Sequence, residues 1–356
     1  MIHEYKDNFK ELIEYLSQTS GIRADVLEKD YYVSLLLNEL AQMQNQTKAY
    51  FKGGTALYKI SKEMRRFSED IDITVDVTQI SNSQAKKMLK KSSEGYQTLA
   101  LSKDDEMTEN RKGSITSVYK YESLFGIRPD PLQRYGKVKV EATSFTISDP
   151  TDTYTIEPLI YTIADNDIRE LLDKLNCRPF KIQTISLQRM FTDKILAAEY
   201  YLEREKYFDV AKHLYDIDFL MSQPEIQKLL NNTESFIQAL SYKRMEEYRR
   251  IGSDLDCKPL QDLILCRDLD NSDLISQYNI MTDIYVFNDK YRTSFSHIKD
   301  SISQLSEKLC EISEEEQIYL NSIDFIELCN RYKVDTKDDI SVHRIEAFEE
   351  LEDIER

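Results

Sequence analysis

Residues 51–75 read FKGGTALYKISKEMRRFSEDIDITV, and the change of pattern within this stretch decides the fold. From Ile71 to Val77 apolar and polar residues alternate with period two, the clearest strand signal in the chain. Upstream, Lys48 to Lys52 is short and extended, Gly53-Gly54 breaks it, and a helix starts near Thr55. Two of the chain's eight glycines therefore stand together where a strand gives way to a helix. Backbone N–H groups there can face an anion with no Cβ in the way, helped by the helix N-terminus, and Thr55 adds a hydroxyl donor. A Gly-Gly pair alone more often makes an ordinary turn.

After the fifteen intervening residues 55–69 come Asp70-Ile71-Asp72. Residues i and i+2 of a strand share a face, so both carboxylates converge on one site while Ile71 and Ile73 turn into the core. In a chain with 64 acids such a pair is common, and its place directly after a strand–GlyGly–helix unit is what marks it. A third acid, Glu141, lies in the alternating run Val138-Lys139-Val140-Glu141-Ala142. It reads equally well as a third member of the acidic site or as an exposed residue on an edge strand. Three acids from two neighbouring strands would suit one or two divalent ions, oxygen-ligated and shared with substrate phosphates.

Working outward, residues 4–19 and 23–43 read as two amphipathic helices and 82–103 as a further helix. Strand candidates follow at 114–125, 135–148 and 153–163. From Ser186 the period becomes helical, with helices near 186–205 and 207–222 and helical segments to the C-terminus. The pattern predicts an α+β protein: a mixed sheet with flanking helices, then a long all-helical region. With 356 residues, two domains are expected, 1–185 and 186–356, the segment 186–220 completing the active site.

Composition removes several classes. With 41% hydrophobic and 31% charged residues the chain is not largely disordered. No stretch approaches a membrane span, and the first sixteen residues, MIHEYKDNFKELIEYL, read as a charged amphipathic helix rather than a signal peptide. Five cysteines without a C-x-x-C pair predict neither a zinc site nor a disulfide framework and fit a reducing cytoplasm. The net charge of −17 excludes a uniformly basic nucleic-acid binder. That charge is uneven, −3 over residues 1–180 and −14 over the rest. Basic groups cluster at Arg65-Arg66 and Lys86 to Lys91. The acidic half is a solvated face or an attractor of basic partners.

Taken together, the 51–75 stretch resembles the first motif of the nucleotidyltransferase fold and, more narrowly, of the AbiEii/AbiGii toxin family. The family pattern is Gly-Gly-Thr, a helix ending in a basic segment, then Arg-x-Ser-x-Asp-x-Asp, here Gly53, Gly54, Thr55, Arg66, Ser68, Asp70 and Asp72. A second block, SLQRMFTDKILAAEYYLEREKYFDVAKHLYDIDFL over 186–220, resembles the family's helical motif, with Lys194 on one helix and Tyr215-Asp216 on the next. Many members carry Arg-Asp ahead of that aromatic-Asp pair, whereas this chain has Lys212-His213.

The resemblance implies transfer of a nucleoside monophosphate from an NTP to an acceptor hydroxyl. Gly53, Gly54 and Thr55 would hold the β and γ phosphates, and Asp70 and Asp72 would ligate Mg²⁺, or Mn²⁺ in its place. Glu141 would complete the metal site or act as the base. Ser68 and Arg66 would contact phosphate, Arg66 having a surface ion pair with Glu63 or Glu69 as its alternative. Lys194 would place a point charge on the triphosphate, and Asp216 would orient Lys194 or the nucleobase. The implied setting is a cytoplasmic toxin of a toxin–antitoxin or anti-phage system, with a cognate antitoxin and an RNA acceptor, the 3′ end of tRNA above all. Competing readings are nucleotidylation of a small cation or a protein, and a non-catalytic nucleotide-binding module. Tyr242 to Arg250 (YKRMEEYRR) reads as an RNA contact or a mixed helix face.

Overall fold

The computed structural model describes residues 1–332 apart from 64, 79, 104, 112, 127–134, 248–252 and 268. The chain divides into two compact units. The first comprises Met1–Asp76, Ser81–Ile185 and Asp283–Arg292; the second comprises Val77–Ile80, Ser186–Thr282 and the chain from Thr293. The architecture is α+β, as the change from period two to helical period predicts.

In the first unit, α1 (Lys6–Ser20) and α2 (Ala24–Thr47) lead into β1 (Ala49–Lys52), α3 (Gly53–Ser61) and β2 (Ile71–Val75). There follow α4 (Asn82–Glu94), β3 (Ala100–Ser102), β4 (Glu109–Arg111), β5 (Ser114–Lys120) and β6 (Lys137–Thr143). The unit continues with β7 (Thr151–Ile156), α5 (Leu159–Thr162), α6 (Asn166–Lys174) and β8 (Phe180–Ile185). The strands form one mixed sheet in the order β3-β5-β6-β2-β1-β8-β7, with β4 on β5. At its centre β2 runs parallel to β6 and antiparallel to β1, and β1 runs parallel to β8. Ile71, Ile73, Val75, Val138, Val140 and Ala142 are fully buried, so both central strands send one face into the core.

Helix α2 is buried almost all round and carries polar groups inside, each with a partner. The Gln44 amide donates to the carbonyls of Ala49 (2.8 Å) and Gln183 (2.7 Å) and accepts from the Gln183 N–H at 2.9 Å, tying β1 to β8. Asp30 pairs with Lys59 of α3 at 2.6 Å and accepts the N–H of Leu159 at 2.6 Å. This fully enclosed pair fixes α3, whose first residues are Gly53 and Gly54.

Some expected boundaries move. The helix expected over 82–103 ends at Glu94, with Gly95 as its C-cap, and 100–102 is a strand instead. The strand expected over 153–163 stops at Ile156, before Pro158 opens the short α5. Strands β3, β4 and β8 are additions to the expected set.

The second unit is helical: α7 (Leu187–Leu202), α8 (Tyr207–Met221), α9 (Pro224–Leu230), α10 (Thr233–Glu247), α11 (Ser272–Tyr285), α12 (Phe295–Leu320) and α13 (Ile323–Arg331), the last residues of α11 counting with the first unit. Ile298, Ile302, Leu305, Leu309 and Ile312 make a buried stripe along α12 at alternating steps of four and three. Arg244 of α10 and Glu316 of α12, both fully buried, pair at 2.8 and 3.1 Å. No described helix is long and apolar enough to cross a membrane, and the five cysteines are free.

Removing one partner of an enclosed ion pair strands the other. Lys59→Met should therefore lower stability by about 3 kcal/mol, and adding Asp30→Asn should recover part of the loss. Urea titration of the two variants measures both effects. A Lys59→Met protein as stable as wild type would show that the pair does not hold α3.

Candidate active site

The strand register assembles the site. In the parallel pairing of β2 with β6, Asp72 lies beside Glu141 and Ile71 beside Val140. Continuing that register by one residue brings Asp70 beside Lys139, and their side chains pair at 2.9 Å. Along β6, Val138, Val140 and Ala142 are buried, while Lys137, Lys139 and Glu141 share the half-exposed face. From the other side β1 sets Lys52 opposite Asp72.

The glycines permit this crowding. Gly53 has φ +82°, a left-handed conformation, and a Cβ there would stand 2.2 Å from Asp72 Oδ2. A Cβ on Gly54 would lie 2.6 Å from Arg66 Nη2 and 2.9 Å from Ser68 Oγ. The buried Thr55 donates its hydroxyl to Ser68 Oγ at 3.0 Å. Gly53, Gly54, Thr55, Arg66, Ser68, Asp70, Asp72 and Glu141 are thus brought together at the start of α3. No side chain caps that helix, so its first N–H groups and the positive end of its dipole remain available to an anion. Glu63 is taken by Arg65 at 3.4 Å, while Arg66 is buried beside Gly54 and donates to the Phe67 carbonyl at 3.4 Å.

Negative charge concentrates here. Burial, then Glu141 and Asp70, push the Asp72 carboxyl up to about 6, against the pull of Lys52 and Lys139. Burial alone would lower the Lys139 ammonium, but Asp70, followed by Asp72 and Glu141, outweighs it and holds the group raised. The donors are all carboxylate oxygens and their mutual repulsion is what a doubly charged cation relieves, so Asp70, Asp72 and Glu141 fit a hard divalent ion. Among the described residues, however, no three acidic, histidine or cysteine side chains stand converged as a ready-made metal site. Asp70 is engaged instead by Lys139.

The second unit holds the other motif residues. Lys194 of α7 and Asp216 of α8 form a buried ion pair at 2.8 Å, which sets the direction of the Lys194 stem. Ser186 caps α7 by accepting the Arg189 N–H at 3.2 Å, and Tyr215 packs in the core. Lys212 pairs with Asp209 at 2.7 Å and His213 stacks on Tyr201 with ring centroids 5.5 Å apart. Among the described residues of the segment from Tyr242, the basic groups are not exposed. Lys243 is buried against Glu246 and Glu247, and Arg244 against Glu316, while Tyr248 to Arg250 lie outside the described residues.

Lys139 was absent from the residues the sequence singled out. Its signal was present: it stands two before Glu141, the same spacing that joined Asp70 to Asp72.

A family model described as "Nucleotidyl transferase AbiEii toxin, Type IV TA system" matches residues 35–306, well over half of the chain. No curated protein matches it.

The raised Asp72 carboxyl gives a signed pH effect on stability. Between its ordinary value of 3.8 and about 6 the folded protein binds more protons than the unfolded chain, so metal-free stability falls as pH rises through that window. Asp72→Asn should therefore raise the thermal midpoint in EDTA by a few degrees above pH 6, the gain shrinking to nothing below 3.8. Calorimetry across pH measures this. A variant that melts lower than wild type at neutral pH would assign Asp72 a structural role.

Proposed function

The chain belongs to the AbiEii nucleotidyl transferase toxin family, and from that premise we propose that it moves a nucleoside monophosphate from an NTP to the 3′ hydroxyl of an RNA, tRNA above all. The acceptor oxygen attacks the α phosphorus, the bond to the β-phosphate oxygen breaks, and pyrophosphate leaves. The observation that carries this reading is the packing of Asp72 against Gly53 at the uncapped start of α3. It sets uncapped helix N–H groups beside paired acids.

Gly53, Gly54 and Thr55 bind the β and γ phosphates through backbone N–H groups, with Arg66 and Ser68, whose oxygen accepts the Thr55 hydroxyl, beside them. Asp70, Asp72 and Glu141 would hold Mg²⁺, or Mn²⁺ in its place, which supplies positive charge against the phosphates. Glu141 either completes that ion site or takes the proton of the attacking hydroxyl. Lys194, oriented by Asp216, is assigned to the triphosphate by its place in the helical motif.

Support for a polyanionic acceptor comes from α4, where Lys86, Lys87, Lys90 and Lys91 are all exposed on one short helix of the less acidic unit. As an AbiEii-family toxin the protein is expected to act beside a cognate antitoxin in the cytoplasm and to arrest growth, including during phage infection.

The test supplies full-length protein with Mg²⁺, each α-labelled NTP, and either total bacterial RNA or a panel of small cations. Label should appear at tRNA size, vanish when the RNA 3′ end is oxidised first, and fall with salt at a log–log slope of about 2 to 4. Label on the small cations alone would overturn the RNA reading. A separate expectation concerns Lys194→Met, which should raise the KM for NTP and lower kcat, because charge grows on the departing pyrophosphate. Wild-type kinetics in that variant would remove Lys194 from the nucleotide.

A further inference from the structure

We propose that Lys139 is a resident counter-ion for Asp70 that must be displaced when a divalent cation enters, so that Lys139, and not the acids alone, sets the metal affinity of the site. The inference rests on the reading of Asp70, Asp72 and Glu141 as the ion-holding group.

The geometry carries it. Lys139 and Glu141 are i and i+2 on β6, so the cation and one acid rise from the same face of the same strand. The β2–β6 register places Asp70 alongside Lys139, and the ion pair at 2.9 Å uses one of the two Asp70 oxygens. The Lys139 side chain is 29% exposed and that of Asp70 40%, so the pair lies at the open side of the sheet where an ion would arrive. Of the other cations on these strands, Lys137 pairs with Asp105 at 3.4 Å, while Lys52 faces Asp72 in the register and makes no ion pair among the described residues.

The residue type matters. An arginine would hold a carboxylate with two parallel bonds, whereas a lysine is a point charge on a flexible stem and can swing clear. While it stays, Asp70 is kept from joining Asp72 and Glu141. A bare ion then has to replace an existing pair as well as shed water, and binds weakly. An ion that arrives already shared with a triphosphate brings further oxygen ligands of its own. Lys139 thereby makes metal occupancy depend on nucleotide, and it is a positioning residue.

The experiment measures Mn²⁺ binding to full-length, nucleotide-free protein by the electron paramagnetic resonance signal of free Mn²⁺. Lys139→Met should bind Mn²⁺ about three- to tenfold tighter than wild type, the range expected for losing a half-exposed ion pair and a neighbouring like charge. Lys139→Arg should bind no tighter than wild type, and Lys52→Met should gain less than Lys139→Met. Should the Met variant fail to fold, Lys139→Gln carries the same expectation. The Mn²⁺-induced rise in thermal midpoint should grow in the same order as the affinities. Equal or weaker binding by Lys139→Met would make Lys139 an organiser of the acids and overturn the proposal. An equal gain in Lys52→Met would overturn it too, as a general effect of charge. If wild type binds Mn²⁺ and Lys139→Met shows no gain, this proposal fails alone. If none of the proteins binds Mn²⁺, the ion-site reading fails with it.

Discussion

Negative charge is held together here against its own repulsion, and the first unit is organised around that constraint. Two carboxylates face each other across parallel strands, Asp72 beside Glu141, with Asp70 one pleat away. Left to itself such a group would push the strands apart or take up a proton, and burial, followed by the charges of Glu141 and Asp70, raises the Asp72 carboxyl in the second direction. Three features oppose it. The buried faces of β2 and β6 pack Ile71, Ile73, Val138 and Val140 into the core and fix the register. Gly53 has no side chain, so Asp72 can seat against the backbone at the positive end of α3. Lys139 and Lys52 supply nearby positive charge.

Each unit also holds its own helices with enclosed ion pairs. Asp30–Lys59 locks α3 to α2, and Arg244–Glu316 locks α10 to α12. Replacing such a pair with apolar residues is often neutral in stability, so its value lies in geometry: Asp30 also accepts the Leu159 N–H and Arg244 also donates to the Leu255 carbonyl, which leaves each charge one orientation. The same logic reaches α7, where the Glu199 carboxylate accepts the N–H groups of Ile264 (2.8 Å) and Leu265 (3.0 Å) and pairs with Lys258 at 2.9 Å. One turn and a half before Glu199 on that helix stands Lys194.

The 51–75 stretch was legible because every level agreed: glycines at the break, a helix of nine residues, then strict alternation into β2. Strand β6 was legible for the same reason, Val138-Lys139-Val140-Glu141-Ala142 showing its two faces openly. Strand β8 was not. Phe180-Lys181-Ile182-Gln183-Thr184-Ile185 alternates too, but its pairing with β1 depends on Gln44, more than a hundred residues upstream, and no local pattern announces that. Lys243 and Arg244 misled for the opposite reason. A run rich in basic residues reads as surface, and only the acids brought by α10 itself and by α12 explain why both are buried. The pairing of Asp70 with Lys139 belongs to this class as well, since it follows from a strand register that sequence spacing alone does not set.

One lysine in each unit is held by an aspartate of the motifs. Lys139 is held by Asp70 at 2.9 Å and Lys194 by Asp216 at 2.8 Å. Neither cation waits as an open charge, so a bare polyanion gains little by approaching either one, because it must break a formed pair to do so. A metal–triphosphate complex is different, for it carries positive and negative charge at once. On the proposed reading it would give Asp70 a new cation while offering phosphate oxygens to the released Lys139 ammonium, an exchange of partners that leaves the total of paired charge unchanged. On the proposed reading, selectivity for metal-bound nucleotide over free phosphate, and over the phosphates of the acceptor RNA, arises from this exchange rather than from the strength of any one contact.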